Sequence, residues 1–213
     1  ARWAAGDVLL AMLEDPSSPR CGGTEGGEEK RAACEREIEA HAAAIQQRQE
    51  TSFFAVQLRA RLLLLHKKSA EAEQLLAQQC ERLDNRVGCL RLRVQAAAQM
   101  ASPERFSPAA RELLSAACRS LAACAATATW AGDLLVARRD YPSAVSYYAR
   151  AAQDEPTEER LLKLADTASQ AGAHVEAANA LERLLQRRGG NDAELRRRVI
   201  EEKAKALASP LAP

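Results

Sequence analysis

Six cysteines, three histidines and a few charge clusters are the residues of this 213-residue chain whose chemistry could go beyond packing. Cys21, Cys34, Cys80, Cys89, Cys118 and Cys124 are even in number, as disulfide partners must be. The same set would also serve as six buried thiols acting as small apolar residues. His41, His66 and His174 lie in separate stretches, and none belongs to a His-Glu-x2-His motif. Cys34 and His41 share a helix face at i, i+7, a spacing open to a metal pair. A disulfide cysteine beside a histidine of a cap helix is the better reading. Gly22-Gly23 and Gly26-Gly27 lack the strand-to-helix setting and the Lys-Ser/Thr of a phosphate loop. Arg196-Arg197-Arg198 could meet nucleic acid or anionic lipid, but Glu194, Glu201 and Glu202 surround it and make a solvated face. No nucleophile, base and orienting group converge by spacing, so no catalytic residue, metal site or cofactor is assigned, and the chain is expected not to be an enzyme.

The elements that must carry these residues are helical. Aromatic residues make up only 4% of the chain, alanine, leucine, arginine and glutamate dominate, and no extended period-2 pattern occurs. A net charge of +1 gives no bulk attraction to nucleic acid, and no apolar run approaches membrane-spanning length. No charged, apolar leader opens the sequence; it starts at Ala1 and not at Met, as it would had a leader been removed either by processing or by design.

Residues 2–14 predict a short amphipathic helix with Trp3, Val8, Leu9, Met12 and Leu13 on its apolar side. It lacks the lysine-rich polar face of a membrane-surface anchor, so it reads as a docking or capping helix. Prolines and glycines make residues 16–27 an irregular loop. Residues 28–47 predict a helix turning Ala33, Cys34, Ile38, Ala42 and Ile45 inward. The run FFAVQLRARLLLLHKK at 53–68 predicts a deeply buried helix with a core of Phe53, Phe54, Val56, Leu58, Leu62 and Leu65. A last helix, 192–208, shows Leu195, Val199 and Leu207 on one side, and residues 209–213 should fray.

The most organised stretch is 132–156, GDLLVARRDYPSAVSYYARAAQDEP. It predicts a helical hairpin turned at Asp140-Tyr141-Pro142, with Pro142 suited to a first helical position. Ala144, Tyr148 and Ala151 fall on one face at i, i+4, i+7. Glycine inside a helix costs about 1 kcal/mol against alanine, so Gly132 implies close packing, with Tyr148 filling the gap beside the small residues. The spacing resembles the tetratricopeptide repeat: Gly132, Ala144, Tyr148, Ala151 and Pro156 match its glycine, alanines, aromatic and proline. Its first helix departs from the pattern, with Ala128, Ala131 and Leu135 at the tryptophan, leucine and tyrosine positions and Trp130 out of register.

The code recurs at a nearly constant interval. Downstream, Ala177, Leu181 and Leu184 take the places of Ala144, Tyr148 and Ala151, behind Gly172 and a helix carrying Leu161, Leu164, Ala165 and Ala168. Upstream, Ala110, Leu114 and Ala117 form a third copy, and Ala72, Leu76 and Gln79 a weaker fourth. The interval before the third copy is the longest, and its extra length falls at Ala101-Ser102-Pro103. The resemblance implies an all-α fold, a right-handed superhelical array of antiparallel helix pairs with helical caps at both ends. Residues 1–50 would be an N-terminal cap with a disulfide-tied loop, 51–190 the repeats, and 191–213 a capping helix and tail.

The resemblance also implies a groove lined by the first helix of each pair, here Thr129, Asp133 and Val136, then Leu162, Asp166, Ser169 and Gln170. Asp133 and Asp166 would make it acidic, so a protein or peptide partner with basic residues beside an apolar anchor is expected. The function implied is a protein-interaction scaffold or adaptor, with a non-catalytic accessory subunit of a larger assembly as the alternative. Repeat register pairs the cysteines. With Ala72 aligned on Ala110, Cys80 and Cys118 occupy one repeat position, each followed by a second cysteine near the next helix start. Cys80–Cys89 and Cys118–Cys124 are therefore expected bonds, staples across inter-repeat turns, and Cys118–Cys124 requires a helix break between its members; Cys21–Cys34 would instead tie the glycine-rich loop to the cap helix. Such bonds place the protein outside the cytosol, in a periplasm, a bacterial-type envelope (lipid-anchored) or secreted; a cytoplasmic array with free thiols is the alternative.

Overall fold

Each apolar stripe with helical spacing becomes a helix in the computed structural model, which describes residues 2–15, 17–21, 27–100 and 102–208. In order these are α1 (Arg2–Glu14), α2 (Gly27–Arg48), α3 (Phe53–Leu65), α4 (Ser69–Gln79), a 3-10 turn (Cys80–Arg82), α5 (Arg86–Gln99), α6 (Pro103–Ala117), α7 (Leu121–Ala137), α8 (Tyr141–Asp154), α9 (Glu158–Gln170), α10 (His174–Arg187) and α11 (Ala193–Ala208). The fold is all-helical, with no strand among the described residues. The side chain of Trp3, the loop at 22–26, Ala101 and the tail at 209–213 lie outside the described residues.

Side chains start five of the helices. Asn85, Ser120, Asp140, Thr157 and Asp192 each accept a hydrogen bond from the amide three residues on. Such caps satisfy first-turn amides that have no partner within the helix. At α3 the service comes from a distance: the Phe53 amide donates to Asp84 Oδ1 at 3.0 Å.

Four helices end alike. The amides of Lys68, Asp140, Ala173 and Gly190 donate back to the carbonyls of Leu63, Leu135, Ala168 and Leu185, at 2.8, 3.0, 2.8 and 2.8 Å. The residue before each donor is left-handed: Lys67 (φ 59°), Arg139 (φ 60°), Gly172 (φ 76°) and Gly189 (φ 75°). This is the Schellman ending, which reverses the chain while pairing the last carbonyls. Arg139 and Gly172 are related by the same shift as Ala144 and Ala177, so the repeat is written in the backbone as well as in the side chains. Glycine adopts the turn without steric cost, whereas Lys67 and Arg139 hold it at a cost.

The contacts divide the chain into two compact units, Ala1–Leu113 and Leu114–Pro213. In the first, α1 packs on α2 and α3, α2 and α4 each pack on α3, and α4 packs on α5. Its core holds Leu9, Leu10, Leu13, Ile38, Ala42, Leu58 and Leu62. A β-carbon on Gly6 would come within 2.7 Å of Leu58 Cδ1, which shows how close α1 comes to α3. Glu73 is buried in this unit and bridged by Arg93 and Arg105, each at 2.9 Å, so its charge is matched.

Four expected core residues point outward. Val8, Phe54 and Leu207 are 53%, 40% and 89% exposed, and Ala33 is exposed too. Val8 and Phe54 lie one residue, about 100° of helix turn, off the buried stripes, and Leu10 takes an inward place instead. Leu65 and Ile45 are half-buried. The Ala110 copy of the repeat code is weaker than expected: Ala110 is buried, but Leu114 and Ala117 only partly so.

In the second unit α7 packs along α8, α8 on α9, α9 along α10 and α10 on α11. Ala144, Tyr148, Ala151, Ala177, Leu181 and Leu184 are all buried. The cysteines pair as Cys21–Cys34, Cys80–Cys89 and Cys118–Cys124, with Cα atoms 5.8, 5.4 and 4.5 Å apart, and no cysteine is free. Helical structure is interrupted at residues 118–120, between the ends of α6 and α7, the break that the third pair requires.

A β-carbon on Gly132 would lie 2.8 Å from Tyr148 Cε1 and 2.9 Å from Cδ1. Those atoms belong to a rigid ring that is itself buried. Gly132→Ala should therefore lower stability by about 1–3 kcal/mol, despite the ~1 kcal/mol that alanine would gain at an open helix position. Urea midpoints of the two proteins measure this; an equal or higher midpoint for the variant would show that the ring can yield.

Candidate protein-binding face

The residues singled out for binding come from two helices of the second unit. Thr129, Asp133 and Val136 project from α7, and Leu162, Asp166, Ser169 and Gln170 from α9. Asp133, Asp166 and Gln170 are exposed; Thr129, Val136, Leu162 and Ser169 are half-buried. Polar side chains link these helices to each other and to α11. Arg160 Nε of α9 donates to Thr129 Oγ1 of α7 at 3.3 Å, and Lys163 Nζ meets Asp133 Oδ1 at 2.9 Å. Arg198 of α11 pairs with Asp166 of α9, and Ser169 Oγ donates to Glu202 Oε1 of α11 at 2.9 Å.

This corrects the expected electrostatics. Asp133 and Asp166 lie where an acidic groove would need them, but each already holds a cation of the neighbouring helix. Neither offers an unmatched negative charge to a basic partner. Asp133 has a third role: the Tyr148 hydroxyl donates to its Oδ1 at 2.6 Å. Burial, and then this hydrogen bond, push the Tyr148 phenol well above its ordinary value. Burial alone would pull the Lys163 ammonium down, but the hydrogen bond and charge of Asp133 outweigh it and the group is raised overall. Lys163 Nζ also sits 6.0 Å from the Tyr148 ring centre.

Glu202 and His174 were not singled out from sequence. Glu202 is buried, and its Oε2 lies 2.8 Å from His174 Nδ1 while Lys205 Nζ meets Oε1 at 2.7 Å. Burial raises its carboxyl, but the hydrogen bonds from Lys205, His174 and Ser169 outweigh that and hold it below the ordinary glutamate value. Of the neighbouring arginines, Arg197 pairs with Glu194 at 2.7 Å as a solvated face would, whereas Arg198 is spent on α9. His41 and His66 lie beside Glu37 and Glu35, at 3.9 and 3.2 Å. Among the described residues no three histidine, cysteine or acidic side chains are grouped to hold a metal, and no helix is long and apolar enough to cross a membrane.

Because Glu202 has a lower pKa folded than unfolded, its contribution to stability is complete above the ordinary value of 4.5 and fades as pH falls through the folded value. The melting temperature of the wild type should thus drop below pH 4.5 more steeply than that of Glu202→Gln. Parallel curves would show that the cluster adds no pH dependence.

No protein-family model matches the chain, and no curated protein is significantly similar to it. Among solved structures, the crystal structure of a thermophilic TPR protein from Thermus thermophilus aligns over 93% of this chain and 99% of its own, at 15% identity and a TM-score of 0.39. The helical-repeat character stands on the chain itself. Helices α7–α8 and α9–α10 are tetratricopeptide-like pairs: a buried alanine (Ala144, Ala177) and a left-handed turn (Arg139, Gly172) recur at equivalent positions, while the glycine–tyrosine contact belongs to α7–α8 and Ala165 and Leu181 take its places in α9–α10.

Proposed function

We propose that this protein is a non-catalytic scaffold or adaptor of an oxidising compartment, periplasmic, envelope-bound or secreted, which holds a segment of a protein partner on the α7–α9 face. Residues 1–50 and 191–213 serve as its caps. The observation that carries the reading is the cross-helix polar rank of that face. Its charges are matched internally, and Val136 and Leu162 are left as half-buried apolar footholds. A fixed polar surface with isolated apolar footholds suits reversible recognition of a segment, since only a few side chains must be desolvated. Specificity then comes from shape and from the exposed amide of Gln170 more than from net charge. The three disulfides support the compartment, because such bonds persist where thiols are not kept reduced.

A second reading is a subunit packed permanently in a larger assembly, and one observation favours it. Val175 and Leu207, 58% and 89% exposed, flank an apolar cleft of about 240 Å³ between α10 and α11. A buried permanent interface needs such a surface.

Partners cross-linked to the wild type in its own host should be lost with Val136→Glu/Gln170→Glu at an unchanged melting temperature. Retention of the partner by that variant, with loss through Val175→Glu/Leu207→Glu, would favour the packed subunit. Protein purified from that host, denatured and alkylated without reductant, should carry no modified cysteine by intact mass, and six after reduction. Six modified cysteines in the unreduced sample would place the chain in a reducing compartment.

A further inference from the structure

In the first unit, α2 and α4 each pack against α3 and leave between them an open cleft of about 710 Å³. Clefts of roughly 300–1,000 Å³ are of the size that holds small ligands. Leu62, Leu63 and Leu75 supply its apolar lining, and Leu63 and Leu75 are only half-buried. The polar groups around them are nearly all engaged. Glu35 pairs with His66 at 3.2 Å and Glu39 with Arg59 at 3.2 Å, two straps from α2 to the α3 side of the cleft. Lys68 reaches Glu71 at 3.7 Å. Arg36 alone of the lining charges has no hydrogen bond or ion pair among the described residues.

We propose that this cleft binds an aliphatic carboxylate, its chain over Leu62, Leu63 and Leu75 and its carboxylate on the Arg36 guanidinium. A guanidinium with no partner among the described residues, at the rim of an apolar surface, asks for an anion, and its planar fork matches the two oxygens of a carboxylate. The chain is preferred to a peptide because the other polar groups already have partners. A peptide laid there would bring amides that the cleft leaves unpaired, whereas an alkyl chain asks for none. This site lies in the other unit from the α7–α9 face and does not depend on the function proposed for that face.

The test is calorimetric titration of the full chain with dodecanoate below its micelle concentration, with dodecyltrimethylammonium as the charge-reversed probe. One saturable dodecanoate site is expected, with little uptake of the cation. Arg36→Glu should weaken dodecanoate by about tenfold or more, as loss of a charge-assisted contact does. Because Arg36 is exposed, the circular dichroism of that variant should match the wild type. Leu63→Gln should also weaken binding, while Leu207→Gln, at the α10–α11 cleft, should leave it unchanged. Equal uptake of the cation, unsaturable uptake, no heat at all, or loss through Leu207→Gln alone would each overturn the proposal. So would tighter binding of a leucine-rich peptide ending in aspartate, which would make the occupant a protein segment.

Discussion

The contact between Gly132 and Tyr148 is the constraint on which the second unit depends. Because position 132 has no side chain, the tyrosine ring lies directly against α7, which sets the distance at which α8 packs. The ring's position delivers its hydroxyl to Asp133, and that hydrogen bond orients the carboxylate toward Lys163 of α9. One backbone-to-ring contact thus fixes a helix pair and, through a single carboxylate, its registration with the next helix. Alanine-rich interfaces need such a device. Small side chains permit close approach but leave the sliding of one helix along another poorly specified, and a buried aromatic with a polar tip specifies it.

Much of this was legible in the sequence, and the reason is locality. The hairpin at 132–156, the buried Ala-Tyr-Ala face and the three cysteine pairs all involve residues close to one another along the repeat, so spacing alone constrains them. The left-handed turn at Gly172 could be read from its glycine. The same turn at Lys67 and Arg139 could not, because nothing in those residue types announces a positive φ. Phe54 was misread for a related reason: α3 is apolar nearly all round, and a stripe that wide does not say which edge faces the solvent.

The helices that carry Asp133 and Asp166 were legible in the sequence, but the cations that pair with them were not. Asp133 and Asp166 stand at corresponding places of successive repeats, and a single-helix view sees two acids on one surface. Their partners, Lys163 and Arg198, belong to the helices that follow in the stack, far along the chain and across a helix that points the other way. Glu202 carries the same lesson. Among Arg196, Arg197, Arg198 and Glu201 it looks like one more solvated charge, yet it is buried against His174 and Ser169. In a stack of helices the charge of a surface belongs to neighbouring repeats jointly, and composition within one helix does not report it.

The three disulfides join cysteines separated by only 13, 9 and 6 positions, in order along the chain and without overlap. Each cysteine has its correct partner as its nearest cysteine neighbour in its own segment. A chain threading out of a narrow pore would therefore present each pair complete before the next pair emerged. Oxidation could proceed step by step from the amino end, with no need to hold a thiol in waiting for a distant mate. Shuffling between segments would be rare, and assistance from an isomerase largely dispensable.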